Sequence, residues 1–135
     1  ETIRRMALRD TLTGLANREQ FQRQMPVALA STLRTGRSVA LLFLDVDNFK
    51  DVNDTLVHPV GDQLLKQVAD RLTECCRESD TVARLGGDEF AVIATNLDDV
   101  TGASMLASRI IETVSAPLVG RSVFRSLWKP LLSPQ

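Results

Sequence analysis

Residues Val39 to Val46 read Val-Ala-Leu-Leu-Phe-Leu-Asp-Val, an apolar run with no polar residue before Asp45 and with Gly36 shortly upstream. An unbroken apolar segment of about four to eight residues has the length of a strand, and its lack of alternation demands burial on both faces. The run therefore predicts a central strand, one that other elements must flank and cover. This constrains the fold more than any other stretch of the chain.

Those covering elements are visible in the periodicity. From Arg18 to Leu33, Phe21, Met25, Leu29 and Leu33 recur every four positions, the spacing of one buried helix face. Pro59 suits the first turn of a second helix, whose stripe is Val60, Leu64, Val68 and Leu72 and which should run to about Glu74. Asp98 and Asp99 cap a third, with Ala103, Leu106, Ile110 and Val114 as its stripe and Pro117 as its stop. Between the second and third helices, Thr81 to Leu85 and Phe90 to Ala94 are short and rich in apolar and branched residues. Gly86-Gly87-Asp88-Glu89 joins them with hairpin-turn residues. The order helix, strand, helix, hairpin, helix implies a two-layer α/β sandwich with helices on at least one face. Neither an internal repeat nor a low-complexity linker interrupts it.

Composition excludes several function classes. A chain of 135 residues suits one domain with one core. No apolar run approaches the roughly 20 residues of a membrane-spanning helix. Sixteen basic residues against seventeen acidic ones leave a net charge of -1, so no basic surplus exists to hold a nucleic-acid polymer. The two cysteines, Cys75 and Cys76, are adjacent within a helical pattern, which suits neither a disulfide framework nor a zinc site and fits a reducing cytoplasm. The opening Glu1 to Met6 lacks the features of a signal peptide and reads as the middle of a helix, so upstream sequence is expected.

Two carboxylate pairs are placed where chemistry could occur. Asp45 and Asp47 end the apolar strand on one strand face, at the crevice where α/β proteins usually bind ligands. Asp88 and Glu89 stand behind two glycines that can adopt positive φ and let backbone approach a ligand. Taken alone, the first pair is also what a strand end needs and the second what a turn needs. If the fold joined them, several hard oxygens would converge as Mg2+ with a triphosphate requires.

Gly86-Gly87-Asp88-Glu89-Phe90 is the signature of the GGDEF family, and four further segments resemble that family in order. Asp10-Thr11-Leu12-Thr13-Gly14-Leu15-Ala16-Asn17-Arg18 is similar to its opening motif, and Leu44-Asp45-Val46-Asp47-Asn48-Phe49-Lys50 to its metal-binding strand. Asn53-Asp54, His58 and Gly61-Asp62 follow at matching intervals, and Arg77-Glu78-Ser79-Asp80 resembles its product-inhibition motif. The resemblance covers roughly residues 9 to 118.

That resemblance implies a nucleotide-cyclase-like α/β sandwich, with a central, mostly antiparallel sheet and flanking helices, acting as a diguanylate cyclase. Two GTP molecules would condense into cyclic di-GMP and pyrophosphate across a homodimer, each domain holding one GTP. By similarity, Asp45, the carbonyl of Val46 and Asp88 would hold Mg2+ or Mn2+, with Asp88 also the candidate base and Glu89 beside it. Lys50 would stabilise transition-state charge. Asn53 and Asp62 would recognise guanine, and His58, Phe49, Gly86 and Gly87 would complete the nucleotide site. Arg77 and Asp80 would form an inhibitory site for the product. An upstream sensory domain and an attached or partner phosphodiesterase are the implied neighbours, in the cytoplasm.

The pattern also departs from the family. Val57 stands before His58 where the family usually has glycine, and a β-branched residue resists the positive φ that glycine allows. After Gly120 nothing resembles the family's further strand and final basic helix. The expected organisation is thus the end of a linker helix at 1–8, an incomplete GGDEF domain at 9–120, and a non-matching tail at 121–135. A truncated sheet would carry an unpaired edge, with Phe124, Leu127 and Trp128 aggravating or covering it and self-association as the consequence. A catalytically impaired module that binds GTP or cyclic di-GMP and regulates a partner is the competing expectation.

Overall fold

The computed structural model describes residues 7–46, 58–115 and 125–132, with side chains described for all of these except 58–60, 115 and 125–132. Helix α1 (Arg18–Thr35) is followed by strand β1 (Ser38–Asp45), helix α2 (His58–Cys75), strands β2 (Thr81–Gly86) and β3 (Glu89–Leu97), helix α3 (Val100–Ser115) and strand β4 (Arg125–Leu132). The strands form one sheet in the order β2-β3-β1-β4, and every neighbouring pair is antiparallel.

The apolar run is the central strand it was expected to be, buried on both faces along almost its whole length. Its alternate residues supply two cores. Ala40, Leu42, Leu44 and Val46 pack with Leu64, Val68 and Leu72 of α2 and with Leu106, Ile110 and Val114 of α3. Val39 and Leu41 pack on the opposite face with Phe21 and Ala28 of α1 and with Ala83, Ala91 and Ile93. Helices therefore cover both faces, and the layers number three where two were expected. A strand apolar at every position cannot be satisfied by one covering layer.

Helix α1 departs from its predicted stripe. Its buried positions are Phe21, Ala28 and Thr32, whereas Leu33 is 84% exposed. Steps of seven and eleven residues return to nearly the same helix face, while three steps of four drift by about a third of a turn. Leu33 has consequently swung off the core. The helix is closed at both ends by local chemistry. Asn17 accepts a hydrogen bond from Gln20 N at 3.0 Å, and Gly36, at φ 73°, donates its N–H to the Thr32 carbonyl. The stripes of α2 and α3 fare better, with Leu64, Val68, Leu72, Ala103, Leu106, Ile110 and Val114 all buried, while the Val60 side chain lies outside those described. At the start of α3 it is Asp99 that caps, accepting from Gly102 N at 3.2 Å, while Asp98 pairs with Arg37 instead.

The expected unpaired edge beside β1 is not found. Residues Arg125–Leu132 run antiparallel along β1, with Leu42 opposite Trp128, Phe43 opposite Leu127 and Asp45 opposite Arg125. The non-matching tail nonetheless supplies this strand, and Arg-Ser-Leu-Trp-Lys-Pro-Leu-Leu can pair because its proline lies on an edge strand, where a missing N–H is tolerated.

Candidate active site

The question left open by the sequence was whether the end of β1 meets the tip of the hairpin. It does: in the β1–β3 ladder Leu44 lies opposite Phe90 and Asp45 opposite Glu89. Just beyond the ladder, Val46 N donates to the Asp88 carbonyl at 3.2 Å. Directly opposed residues of an antiparallel pair project from the same sheet face, so Asp45 and Glu89 share one. Phe90 lies on the other face, 1% exposed within the core, and pins the strand that carries the carboxylates.

The turn itself depends on glycine. Gly86 and Gly87 have φ of 148° and 46°, values that disfavour any residue with a Cβ. A Cβ added at either would meet nothing within 4 Å, so backbone conformation and not crowding demands glycine, and the space above the turn is open. Asp45 and Asp88 are half-buried and Glu89 is exposed. Among the described residues, none of these three carboxylates takes part in a hydrogen bond, so their oxygens remain available. The Val46 side chain is buried, which leaves its main chain as the part that can face a ligand.

Other predicted site residues stand as follows. Phe49, Lys50 and Asn53, with Asp47 and Val57, lie outside the described residues. His58 is the first residue of α2, and Asp62 is exposed in that helix's opening turns. Among the described residues, no group of three or more His, Cys, Asp and Glu side chains is arranged to hold a metal ion. The donor set inferred from the motif is smaller, two carboxylates and a main-chain carbonyl. Its hard oxygens suit Mg2+, which keeps several waters or phosphate oxygens of its own.

Arg84 was missed at the sequence level. Its Nε donates to the Gly87 carbonyl at 2.9 Å, and its Nη1 donates to Asp10 Oδ1 at 3.0 Å in an ion pair whose side chains are each 16% exposed. Asp10 Oδ2 also accepts from Thr13 N and Thr13 Oγ1, both at 2.8 Å. Burial works to raise the Asp10 pKa, but the Thr13 bonds and the Arg84 charge outweigh it and hold the carboxyl below its ordinary value. The loop is further fastened by Ala16, which donates to the Val82 carbonyl at 3.2 Å and accepts from Arg84 N at 2.9 Å. A charge in a strand otherwise reading Thr-Val-Ala-x-Leu was the signal available.

The Arg77–Asp80 turn is built differently. The Asp80 side chain is 2% exposed, and its carboxylate accepts from Arg77 N at 2.9 Å and Thr95 N at 3.1 Å. Its ion pair with Arg77 Nε is long, 3.9 Å. Arg77 is half-exposed and donates from Nη2 to the Thr95 carbonyl at 2.6 Å. This turn separates two grooves. One, of about 850 Å³, is lined by residues including Arg9, Gln20, Cys76, Arg77 and Asp80. The other, of about 310 Å³, takes in Arg37, Arg77, Asp80 and Arg109. Cys76 is no nucleophile, because burial, followed by the nearby Asp80 charge, pushes its thiol up to about 12.

Comparison with known proteins agrees with this geometry. Residues 7–123 match the family described as diguanylate cyclase, GGDEF domain. The chain is 42% identical over 117 residues to a cyclic di-GMP phosphodiesterase, NbdA, of Pseudomonas aeruginosa, covering 87% of this chain and 15% of that protein. It is 41% identical over 117 residues to the diguanylate cyclase TpbB of the same species, covering 87% of this chain and 27% of that one. It thus spans about a quarter or less of the length of these curated relatives. Among solved structures, the coiled coil and GGDEF domain of DgcB from Caulobacter crescentus, in complex with c-di-GMP, superposes with a TM-score of 0.85 at 30% identity. That match covers 94% of this chain and 71% of the other. With its sheet, its hairpin and its motifs all in agreement, this chain belongs to the GGDEF family of diguanylate cyclase domains.

Proposed function

We propose that this domain binds GTP at the junction of β1 and the β2–β3 hairpin and, paired with a second copy, joins two GTP molecules into cyclic di-GMP. The observation that carries this reading is the convergence of Asp45, Val46, Asp88 and Glu89, fixed by the Asp45–Glu89 register and the Val46–Asp88 hydrogen bond. The 3′-hydroxyl of one GTP attacks the α-phosphate of the other, pyrophosphate leaves, and a second such step closes the ring. Asp88 accepts the hydroxyl proton, and the open carboxylates of Asp45 and Asp88 face the phosphates. A divalent cation, generally used in this family, would neutralise phosphate charge when held by Asp45, Asp88 and the Val46 carbonyl. Asp62, with Asn53, serves base recognition, Lys50 the transition-state charge, and His58 and Phe49 complete the nucleotide site.

Two copies are required because each domain holds one GTP and the reaction joins two. Cyclic di-GMP also acts as inhibitor at the Arg77 turn, where a half-exposed guanidinium keeps donors to spare. No helix among the described residues is long and apolar enough to cross a membrane.

The test is incubation of concentrated chain with GTP and Mg2+, beside Asp45→Ala, with cyclic di-GMP detected by chromatography and mass. Product absent from the control supports the cyclase. GTP binding without product favours a second reading, a regulatory module serving a linked enzyme, for which the likeness to a protein named as a phosphodiesterase speaks.

A further inference from the structure

We infer that Arg84 is a positioning residue for Asp88, tying the geometry of the signature turn to the loop that begins at Asp10. Resting on the cyclase reading above, this adds to it a device that no signature residue supplies. The two carbonyls that flank the Asp88 α-carbon are held from opposite sides. The Gly87 carbonyl accepts from Arg84 Nε at 2.9 Å, and the Asp88 carbonyl accepts from Val46 N at 3.2 Å. One bond comes from β2 and the other from the end of β1, so the residue proposed as base and metal ligand is clamped between two strands. A turn with two glycines at positive φ needs such restraint, since glycine itself selects no conformation.

The clamp's outer end is charged and anchored. Arg84 Nη1 reaches Asp10, whose other oxygen is occupied by Thr13, and Ala16 fastens the same loop to both sides of Ala83. The planar guanidinium donates in two directions with fixed geometry, whereas a lysine ammonium is a single point that reaches one acceptor or the other. A displacement of residues 10–16 therefore pulls on the Gly87 carbonyl, and through it on Asp88, without contact with any nucleotide. The β2–β3 ladder is irregular between Arg84 and Gly86, so it does not by itself fix the turn.

The full chain carrying Arg84→Lys or Arg84→Ala tests this. Three readouts are compared with wild type: thermal midpoint, hydrogen exchange of the Val46 amide, and kcat and KM for cyclic di-GMP formation. Arg84→Lys is expected to keep its thermal midpoint within a few degrees, to exchange the Val46 amide roughly tenfold faster, and to lower kcat by roughly tenfold to a hundredfold with little change in KM. Arg84→Ala should repeat the exchange and kcat effects at a lower thermal midpoint. Wild-type exchange in Arg84→Lys, or full rescue of kcat by lysine, would overturn the inference, because charge pairing with Asp10 would then suffice. If wild type binds GTP and forms no product, the cyclase reading fails alone, and the exchange at Val46 still decides whether Arg84 holds the turn.

Discussion

Asp88 and Asp80 are both aspartates at turns flanking β2, and they are used in opposite ways. The Asp88 side chain is half-buried and engaged by no hydrogen bond among the described residues, while only its main chain is held. The Asp80 side chain is almost wholly buried and committed to two main-chain N–H groups. A carboxylate that the fold already satisfies has little left for a ligand, and one held only through its backbone keeps both oxygens free. Availability for a ligand thus tracks how many internal donors reach the acid, which its residue type does not reveal.

The sharpest way to break that contrast is to neutralise each acid. Asp88→Asn should cut cyclic di-GMP formation by more than about a hundredfold while moving unfolding free energy by no more than about 0.5 kcal/mol. Chromatographic assay beside urea denaturation reads both, and a large loss of stability would place Asp88 in the same class as Asp80. Asp80→Ala should do the reverse to stability, costing about 2 kcal/mol because the Arg77 and Thr95 amides lose their acceptor. Arg77→Ala, which removes an exposed hydrogen bond, should cost about 0.5–1 kcal/mol. It should nonetheless abolish cyclic di-GMP binding measured by calorimetry. If Arg77→Ala binds normally and Asp80→Ala folds normally, neither assigned role stands.

A smaller effect separates backbone from side chain within the Gly86–Gly87 turn. Gly87→Ala puts a Cβ at φ 46° with open space around it, so the expected cost is about 1 kcal/mol of backbone strain and no steric clash. Urea denaturation measures it, and a change near zero would show that the turn relaxes to another conformation.

The sheet's centre was legible because Val39 to Val46 is apolar at every step, α3 because its stripe keeps close to the 3.6-residue period, and α2 because Leu64, Val68 and Leu72 span only two steps of four and so drift less than the three steps from Phe21 to Leu33. In α1 a strict fourfold repeat misled, since Leu33 has drifted from the face that Phe21 and Thr32 share. Strand β4 was illegible because an edge strand requires pairing on one side only and so tolerates Pro130 within it. At the candidate site the sequence named both carboxylate pairs but not their meeting, which register alone decides. Nor did it distinguish the buried Asp80 from the open Asp88, or reveal Arg84, because each depends on partners distant in the chain.

Asp10 falls between the two aspartates, and the smallest prediction concerns it. Its carboxylate is engaged by Thr13 and Arg84 yet remains partly exposed, and it is held below the usual carboxylate range despite the opposing effect of burial. A depressed folded-state pKa means that the unfolded chain binds the proton more readily. The contribution of Asp10 to stability is therefore complete above the unfolded value near about 4 and is lost as pH falls through the lower folded value. Wild type should be more stable than Asp10→Asn at pH 7, and the difference should shrink in acid as wild type takes up its proton. Urea denaturation at stepped pH checks this. A difference that stays constant down to the acid limit would mean that neither the Thr13 bonds nor the Arg84 charge favours the ionised form of Asp10 in the folded chain.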